Sequence, residues 1–284
     1  MHKESIHTIL DQISKKIGHL SLVEKENIAR DLKLILSFIN SGEYNNTELL
    51  HRNRFDTQKR TYEFFSYIQG YYRHAMDWFD FLQNIPLKDM TSILDIGPGF
   101  SPKLALALKR ANYTGSLTLL DKSEIALHGL KQFLEMMGVS FETHLLCEDI
   151  FDKSHHCYQL VAANHLFDDL IIDAYCNSHQ TSAKELYEDE ISFIKTTEDI
   201  ILGFDKTRLL MNISTVFSKT VARNGYLLIR HYKGLTEQAL ELSNWHEYVS
   251  HFFENVVVYL QKEGMVVLER KNGFVLLKNL INRN

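Results

Sequence analysis

The spacing of hydrophobic residues changes near residue 91. Before that point apolar side chains recur at three- and four-residue intervals, as between Ile6 and Ile17. This period is typical of amphipathic helices, and all three prolines of the chain lie between residues 86 and 102. The pattern predicts an all-helical N-terminal region over residues 1–88, followed by a second domain over residues 89–284.

Short apolar runs alternate with amphipathic segments in the second domain. The predicted strands are SILDIG after residue 91, then 116–121, 141–149, 158–164 and 225–231. The predicted helices are 101–112, 123–138, 165–176, 204–222 and 245–263. Alternation of this kind predicts an α/β fold with a parallel sheet covered by helices.

Two segments depart from this alternation. The end of the chain reads as two strands, GMVVLER and GFVLLKN, joined by Asn272-Gly273, and Asn-Gly is a strong signal for a tight hairpin. Residues 177–203 are polar and acidic. We interpret them as an insertion with some helix of its own and as a candidate lid.

Composition narrows the class of protein. The net charge is −5, with 45% hydrophobic and 24% charged residues, which indicates a globular protein and argues against a nucleic-acid partner. The three cysteines form no CxxC pair, which favours a reducing compartment. Neither an apolar signal segment nor a membrane-length apolar run is present in the sequence. These features predict a cytoplasmic protein.

A glycine turn follows the first predicted strand. The segment Asp95-Ile96-Gly97-Pro98-Gly99 ends a strand and precedes a helix, for which Ser101 is the predicted cap. Glycines there allow a sharp turn and a close approach of ligand to backbone, while the helix directs free N–H groups towards the ligand. The alternative is a strand–helix turn that requires glycine only for its conformation.

Asp121 ends the next predicted strand, 22 residues after Gly99. A carboxylate at this place in a Rossmann fold can accept hydrogen bonds from both hydroxyls of a ribose. The alternative is that Asp121 interacts favourably with the positive end of the helix that follows it. Together, the glycines and the acid favour nucleotide binding.

The order of these segments resembles that of class I S-adenosylmethionine-dependent methyltransferases. The likeness lies in DIGPGFS, LTLLDKS, CEDIFD and YQLVAAN, in that order, and covers about residues 90–280. It implies a Rossmann-like, seven-stranded, mostly parallel sheet with helices on both faces and an antiparallel C-terminal hairpin strand. It also implies S-adenosylmethionine as cofactor. Dehydrogenases share the glycine turn, but their fingerprint keeps a third glycine that this chain lacks.

The resemblance also implies roles for individual residues. The implied cofactor-binding residues are Asp95, Gly97, Gly99, Asp121, Asp149 and Ile150. Asp95 would orient the loop or meet the methionine ammonium, and the two glycines would face the methionine part. Asp121 would hold the ribose hydroxyls, and Asp149 would accept from the adenine amine beside Ile150. For Asp149, turn capping is an equally open alternative.

The fourth strand ends at Asn164-His165, where an open α/β sheet places its ligands. His165 has a suitable pKa for a general base, and Asn164 can accept from an amine or orient a hydroxyl. We therefore predict both as catalytic residues. In the alternative interpretation Asn164 caps a helix, and Asp168 and Asp169 are solvated in its first turn. Because adjacent helical residues point in different directions, we predict no metal site.

Four residues are predicted substrate contacts. They are Tyr71, Arg73, Phe167 and Tyr232. The first two belong to the aromatic helical region that we expect to cover the cofactor site, although an aromatic stripe at helical spacing more often packs in a core. Tyr232 follows the fifth strand, and Phe167 follows the fourth.

The sequence thus predicts transfer of a methyl group from S-adenosylmethionine to the N or O atom of a small-molecule acceptor. Three alternatives stay open. An RNA or protein methyltransferase is supported by a short basic cluster, Arg52, Arg54, Lys59 and Arg60. The others are aminocarboxypropyl transfer from the same cofactor and a non-catalytic binding module. The sequence does not determine the oligomeric state.

Overall fold

The computed structural model describes residues 74–152, 156–188, 190–234, 237–238 and 240–280. The predicted helices of the first 73 residues lie outside the described residues, as do Tyr71, Arg73 and the basic cluster of the predicted N-terminal region. The domain boundary at residues 88 and 89 stays a prediction.

Seven strands and seven complete α-helices are defined in the described part of the chain. The strands are β1 Ser92–Ile96, β2 Ser116–Asp121, β3 Glu142–Cys147, β4 Tyr158–Asn164, β5 Val221–Arg230, β6 Met265–Lys271 and β7 Phe274–Asn279. The helices are α1 Lys103–Arg110, α2 Glu124–Met136, α3 Phe167–His179, α4 Ala183–Glu188, α5 Glu190–Gly203, α6 Thr207–Thr220 and α7 Ser243–Lys262. A helical stretch at 74–82 and a 3-10 turn at Leu87–Asp89 precede them.

The strands form one sheet in the order β3-β2-β1-β4-β5-β7-β6. The β1–β4, β2–β3 and β4–β5 pairs are parallel, whereas β7 runs antiparallel to both β5 and β6. This arrangement confirms the predicted Rossmann-like, mostly parallel sheet of seven strands. It also confirms the C-terminal hairpin, in which Asn272 and Gly273 both have positive φ, at 52° and 77°.

The chain divides into two compact units. Of the described residues, one unit comprises those up to Thr91 together with Pro98–Cys147, and the other comprises Ser92–Gly97 and those from Glu148 onward. In the first unit Trp78 is fully buried and Leu82 is nearly so; in the second, Trp245 and Phe252 are the largest of the deeply buried side chains on α7. Each unit therefore contains its own aromatic and aliphatic core.

Two predicted element boundaries are wrong. Helix α1 begins at Lys103, with Pro102 at the N-cap position and no side-chain cap. Ser101 therefore does not cap the helix, contrary to the prediction. Strand β5 begins at Val221, four residues before the predicted start at Gly225. Asn224-Gly225 resembles a strand breaker, but a register shift lets the strand continue through it, with Asn224 at φ 60°.

The predicted insertion at 177–203 contains helices of its own, as expected. Helix α3 continues to His179 and ends at Gln180, whose φ of 57° is left-handed. Helices α4 and α5 then occupy most of the remaining segment. Its role as a lid stays a prediction. Across the residues that the structure describes, no helix combines the length and the apolarity needed to cross a membrane.

Candidate active site

The carboxyl ends of β1 and β4 lie side by side within the second unit. Asp95 and Ile96 on β1 align with Ala162 and Ala163 on β4 in a parallel register. In the sheet order, β2 and β3 lie on one side of β1, and β4 and β5 lie on the other. Open α/β sheets bind ligands where the strand order reverses in this way. The end of β4 is therefore a candidate ligand site.

Gly97, which directly follows β1, requires glycine for two reasons. Its φ is +61°, a left-handed conformation that side chains disfavour. An added Cβ would also lie 2.6 Å from Cδ1 of Leu166, the residue after His165. The backbone conformation and this close approach together explain Gly97 without a ligand.

Gly99 and Asp121, both in the first unit, are directly hydrogen-bonded. The Gly99 N–H donates to Oδ2 of Asp121 at 2.9 Å, and the Ser123 N–H donates to Oδ1 at the same distance. Backbone amides therefore fix both carboxylate oxygens. Gly99 has a φ of +54°, and an added Cβ would meet no atom of the described chain within 4 Å. Its surroundings thus leave room for a ligand against the backbone, which fits the predicted cofactor loop.

Asp149 lies two residues beyond β3 and not at its end as predicted, because the strand stops at Cys147. Its Oδ1 accepts the N–H of Phe151 at 2.9 Å, and its own N–H donates to Asp152 at 3.2 Å. These contacts are the turn capping that the sequence left open. Ile150 is buried. The adenine role of both residues stays a prediction.

Seven polar and aromatic side chains of the second unit form a chain of contacts, which we call the histidine cluster. Its members are Asn164, His165, Asp168, His231, Tyr232, Glu237 and His246. The structure therefore brings together three predicted residues, Asn164, His165 and Tyr232, with four that were not selected from the sequence.

His165 occupies the centre of the histidine cluster. Its backbone has φ +54°, and its N–H donates to the carbonyl of Arg230 at 2.8 Å. Its ring is stacked on Tyr232 at 4.7 Å and on His231 at 5.5 Å between centroids. Nε2 lies 3.3 Å from Oδ2 of Asp168. A carboxylate in this position can hold the imidazole in one orientation and tautomer.

The alternative interpretation of the end of β4 is wrong for two residues. Helix α3 has Leu166 at its N-cap position, without a side-chain cap, so Asn164 is not a helix cap. Its amide instead donates to Oη of Tyr232 at 3.4 Å. The Asp168 side chain is only 16% exposed and is not solvated, whereas Asp169 is exposed as expected.

The surroundings of the two carboxyl groups favour their neutral forms. Burial raises the pKa of Asp168 well above its usual value, and the charges of Asp169 and Glu237 raise it further. Burial also raises the pKa of Glu237, although the Gly234 N–H and His246 oppose that shift. Oε1 of Glu237 lies 3.5 Å from Nδ1 of His246. Deprotonating these groups therefore becomes easier when a positive charge is nearby.

His231 is the most deeply buried imidazole of the histidine cluster, at 5% exposure. Burial, followed by the neighbouring His165 and His246, lowers its pKa to about 3. Its ring is stacked on His246 at 5.1 Å between centroids, and neither ring nitrogen has a hydrogen-bond partner in the described chain. It is therefore neutral at physiological pH.

A close backbone approach completes the histidine cluster. An added Cβ on Gly234 would lie 2.6 Å from Nε2 of His165. The Gly234 N–H also donates to Glu237. The segment after β5 therefore encloses the His165 ring from one side. Among the side chains that the structure describes, no group of three or more is arranged to hold a metal ion.

One signal in the sequence could have identified one of the missed residues. His231 directly follows β5, and the rule that ligands lie beyond strand ends applies to it as well as to Tyr232. Glu237 and His246 carry no comparable signal, because they reach the cluster from the following segment and from α7. Asp168 was considered as a solvated residue, since sequence does not show burial.

Phe167 was predicted to contact substrate, but it is fully buried. Its ring makes edge-on contacts with three other phenylalanines, Phe217, Phe252 and Phe253. It therefore packs in the core, and we leave it out of the candidate site. Tyr71 and Arg73, outside the described residues, stay predictions.

Comparisons with known proteins give structural matches only, since no protein-family model and no curated protein sequence matches the chain. The magnesium protoporphyrin IX methyltransferase of Synechocystis PCC 6803, solved with bound S-adenosylhomocysteine, is 10% identical with a TM-score of 0.47; the match covers 88% of this chain and 99% of that one. An S-adenosylmethionine-dependent O-methyltransferase of Thermotoga maritima is 10% identical with a TM-score of 0.44, covering 74% and 66%.

The cyclopropane synthase MmaA2 of Mycobacterium tuberculosis is 15% identical with a TM-score of 0.40, covering 69% of this chain and 62% of that one. The chain thus spans less than two thirds of the Thermotoga and mycobacterial structures. TM-scores below 0.5 at these identities do not establish a shared activity.

Proposed function

We propose that the chain binds S-adenosylmethionine and transfers its methyl group to the N or O atom of a small molecule. The observation that supports this most directly is the 2.9 Å hydrogen bond from the Gly99 N–H to the Asp121 carboxylate. It joins the turn after the first strand to the acid that ends the second. A nucleotide-binding Rossmann domain uses these two positions for the ligand.

The first unit offers the features that a ribose and a methionine tail require. A carboxylate can accept about four hydrogen bonds, and the two backbone amides account for two of them. In our proposal this carboxylate, held in position by the two amides, also accepts hydrogen bonds from the ribose diol. The open space over Gly99 allows a ligand to lie against bare peptide. Asp95, Gly97, Asp149 and Ile150 have the further cofactor roles that the resemblance implies.

The histidine cluster supplies the groups that an acceptor requires. The sulfonium of S-adenosylmethionine supplies an activated methyl group, so the protein needs only to align the acceptor and remove a proton. With Nε2 of His165 directed at Asp168, the other ring nitrogen is the one that takes up the proton. Asn164 orients the acceptor. The His165 ring is held in place because it stacks on both Tyr232 and His231.

Calorimetric titration with S-adenosylhomocysteine tests the cofactor assignment without knowledge of the acceptor. We expect saturable binding to the folded chain. Asp121→Ala should weaken it by about 1–3 kcal/mol, or roughly 5- to 150-fold, because a hydrogen-bonded carboxylate is lost. Absence of measurable heat with both S-adenosylmethionine and S-adenosylhomocysteine would refute the proposal.

Glu124→Ala is the matched control for Asp121→Ala. Glu124 lies in the first turn of α2, beside the same helix start, and its side chain is 76% exposed. If Asp121 acts only through the charge at the helix end, the two variants should weaken binding equally. A loss confined to Asp121→Ala supports direct recognition of the ribose.

A further inference from the structure

Two oxygen atoms of the histidine cluster are buried and accept no hydrogen bond from the described chain. They are Oδ1 of Asn164 and Oδ1 of Asp168. Protein interiors rarely leave such acceptors unsatisfied, because removing them from water without a donor is unfavourable. Both atoms belong to the short segment between the end of β4 and the first turn of α3. This segment therefore presents one amide oxygen and one carboxylate oxygen without a hydrogen bond, while backbone N–H groups of Asp168 and Asp169 lie against the same carboxylate.

Contacts on either side fix the directions of these two acceptors. The Asn164 amide nitrogen donates to Oη of Tyr232, so its oxygen is the atom that is left to accept. The other oxygen of Asp168 faces Nε2 of His165. The two acceptors are suited to a ligand that brings N–H or O–H groups.

His231 provides an independent observation at the same place. It is 95% buried, and neither ring nitrogen has a hydrogen-bond partner among the described residues. Its ring lies between those of His165 and His246, which it contacts by stacking. The histidine cluster therefore holds unsatisfied polar atoms on two separate chain segments, as a built ligand site does.

The charges around these acceptors favour a cation. Asp168 lies near the carboxyl groups of Asp169 and Glu237, and its ion-pair partner in the described chain is His165. Arg230 has its guanidinium over the Tyr232 ring at 5.0 Å and the Phe274 ring at 4.3 Å, and the charge of Lys233 acts on Glu237. Because burial and neighbouring acid raise the pKa of Asp168, a positively charged ligand would favour its ionised form.

We propose that the histidine cluster binds a primary or secondary amine, with Asn164 Oδ1 and the Asp168 carboxylate accepting its N–H groups. A hydroxyl has one hydrogen and cannot donate to both oxygens, whereas an ammonium group can. This inference rests on the proposed function and makes the reaction an N-methylation. Methylation of an oxygen atom is the alternative, and the test below distinguishes it by comparing an amine with an alcohol.

The proposed reaction balances without a further reactant. The ammonium first gives up a proton to His165, which frees the nitrogen lone pair. That lone pair forms the bond to the methyl carbon while the carbon–sulfur bond breaks. The electron pair of the broken bond remains on sulfur. The methylated ammonium product keeps one positive charge. Asp168, paired with His165, stabilises the imidazolium that forms.

Amine recognition can be tested with a simple probe. Propylammonium chloride is titrated into the full chain, and 1-propanol serves as the matched alcohol. The readout is the Cε1–H resonance of His165, assigned by comparison with His165→Gln. We expect a saturable shift with the amine and none with the alcohol at equal concentration. Equal responses to both probes, or no response to the amine, would overturn the inference.

Variants distinguish the specific carboxylate from general acidity. Asp168→Asn should weaken propylammonium binding at least tenfold. The control Asp169→Asn removes the same charge from the exposed neighbour and should change the affinity less than twofold. If Asp168→Asn does not fold, Asn164→Leu removes the second acceptor and should produce a similar loss. Unchanged affinity in a folded Asp168→Asn or Asn164→Leu chain contradicts the assignment.

A parallel titration with S-adenosylhomocysteine separates this inference from the proposed function. Cofactor binding without an amine response means that the inference fails alone. An amine response without cofactor binding means that the amine site stands and the methyl-transfer assignment fails. Asp168→Asn should leave the affinity for S-adenosylhomocysteine within twofold of the unmodified chain.

Discussion

Asp121, the last residue of β2, and Asp168, in the first turn of the helix that follows β4, are held by the protein in different ways. Both oxygens of Asp121 accept backbone N–H groups, from Gly99 and Ser123. Asp168 also interacts with backbone N–H groups, its own and that of Asp169, but it is buried, faces the side chain of His165 and lies close to Glu237, and its pKa is raised. Backbone amides stabilise the ionised form of a carboxylate, whereas burial beside another acid opposes it.

The comparison indicates a division of labour between recognition and reactivity. A carboxylate held by main-chain groups has a fixed position, which suits recognition of hydroxyls. A buried carboxyl group beside an imidazole responds to the charge of whatever binds there, which suits proton transfer. The region around Gly99 and Asp121 therefore serves binding in our proposal, and the histidine cluster serves chemistry.

The largest expected effect concerns the buried imidazole of the histidine cluster. The pKa of His231 is lowered to about 3 by burial. Between pH 6.5 and 3 the unfolded chain therefore binds a proton that the folded chain does not, and stability falls as the pH falls. At pH 4 this effect is about 3 kcal/mol. His231→Phe keeps an aromatic ring but removes the titrating group. Between pH 7 and pH 4, the free energy of unfolding of this variant should therefore fall by about 3 kcal/mol less than that of the unmodified chain.

Urea unfolding at pH 7, 5.5 and 4 measures this difference. The control is His128→Phe, which changes an imidazole on α2 that is 62% exposed. It should leave the pH dependence of unfolding close to that of the unmodified chain. An equal slope for His231→Phe and the unmodified chain would mean that His231 is not held neutral by burial.

A smaller effect separates the two glycines of the turn. Gly97→Ala and Gly99→Ala each place a side chain at positive φ, which costs about 1–2 kcal/mol. Gly97→Ala also forces Leu166 to move, so its total loss should be about 2–3 kcal/mol. Gly99→Ala should cost only the conformational part. Thermal unfolding of both variants measures the difference, and equal losses would contradict the open space assigned to Gly99.

Gly138→Ala is a matched control for conformational strain. Gly138 has φ +62° and, like Gly99, would bring its Cβ within 4 Å of no atom in the described chain. The two variants should lose similar stability. Only Gly99→Ala should also weaken S-adenosylhomocysteine binding, because only its added methyl group would lie where we propose the ligand.

The smallest expected effect is that of replacing an Asp by Asn. This substitution should change the stability in opposite directions at Asp121 and at Asp168. Asp121→Asn should lower stability by about 1 kcal/mol, since the amide leaves one of the two N–H groups without an acceptor. Asp168→Asn should raise stability at pH 8. The raised pKa of Asp168 means that the folded chain holds a proton more tightly than the unfolded one, so ionisation at higher pH destabilises the fold.

Thermal unfolding at pH 8 and pH 4 tests this pair of substitutions. The gain from Asp168→Asn should shrink towards pH 4, where the carboxyl group is increasingly protonated in both states. A fall in the unfolding midpoint at pH 8 for Asp168→Asn would show that its contact with His165 outweighs the burial of charge.

The sheet was predictable because its signals are local. Most strands contain a short apolar run, and the Asn272-Gly273 turn requires positive φ at two adjacent residues, which Asn and Gly tolerate best. The positions of Gly99 after the first strand and of Asp121 at the end of the second were readable from the sequence, whereas the hydrogen bond between them was not predicted. Their roles towards a cofactor stay predictions. The start of β5 was missed because Asn224-Gly225 is accommodated by pairing with β4.

By itself, the sequence determined the order of strands and helices, the closing hairpin, and the position of the glycines and Asp121. These features depend on residue spacing and on backbone conformation, which neighbouring residues largely control. Only the tertiary structure decided that Phe167 packs in the core and that Asp168, His231, Glu237 and His246 gather around His165. Burial and pairing between distant segments depend on how elements pack, and no local pattern in the chain records the pKa shifts that result.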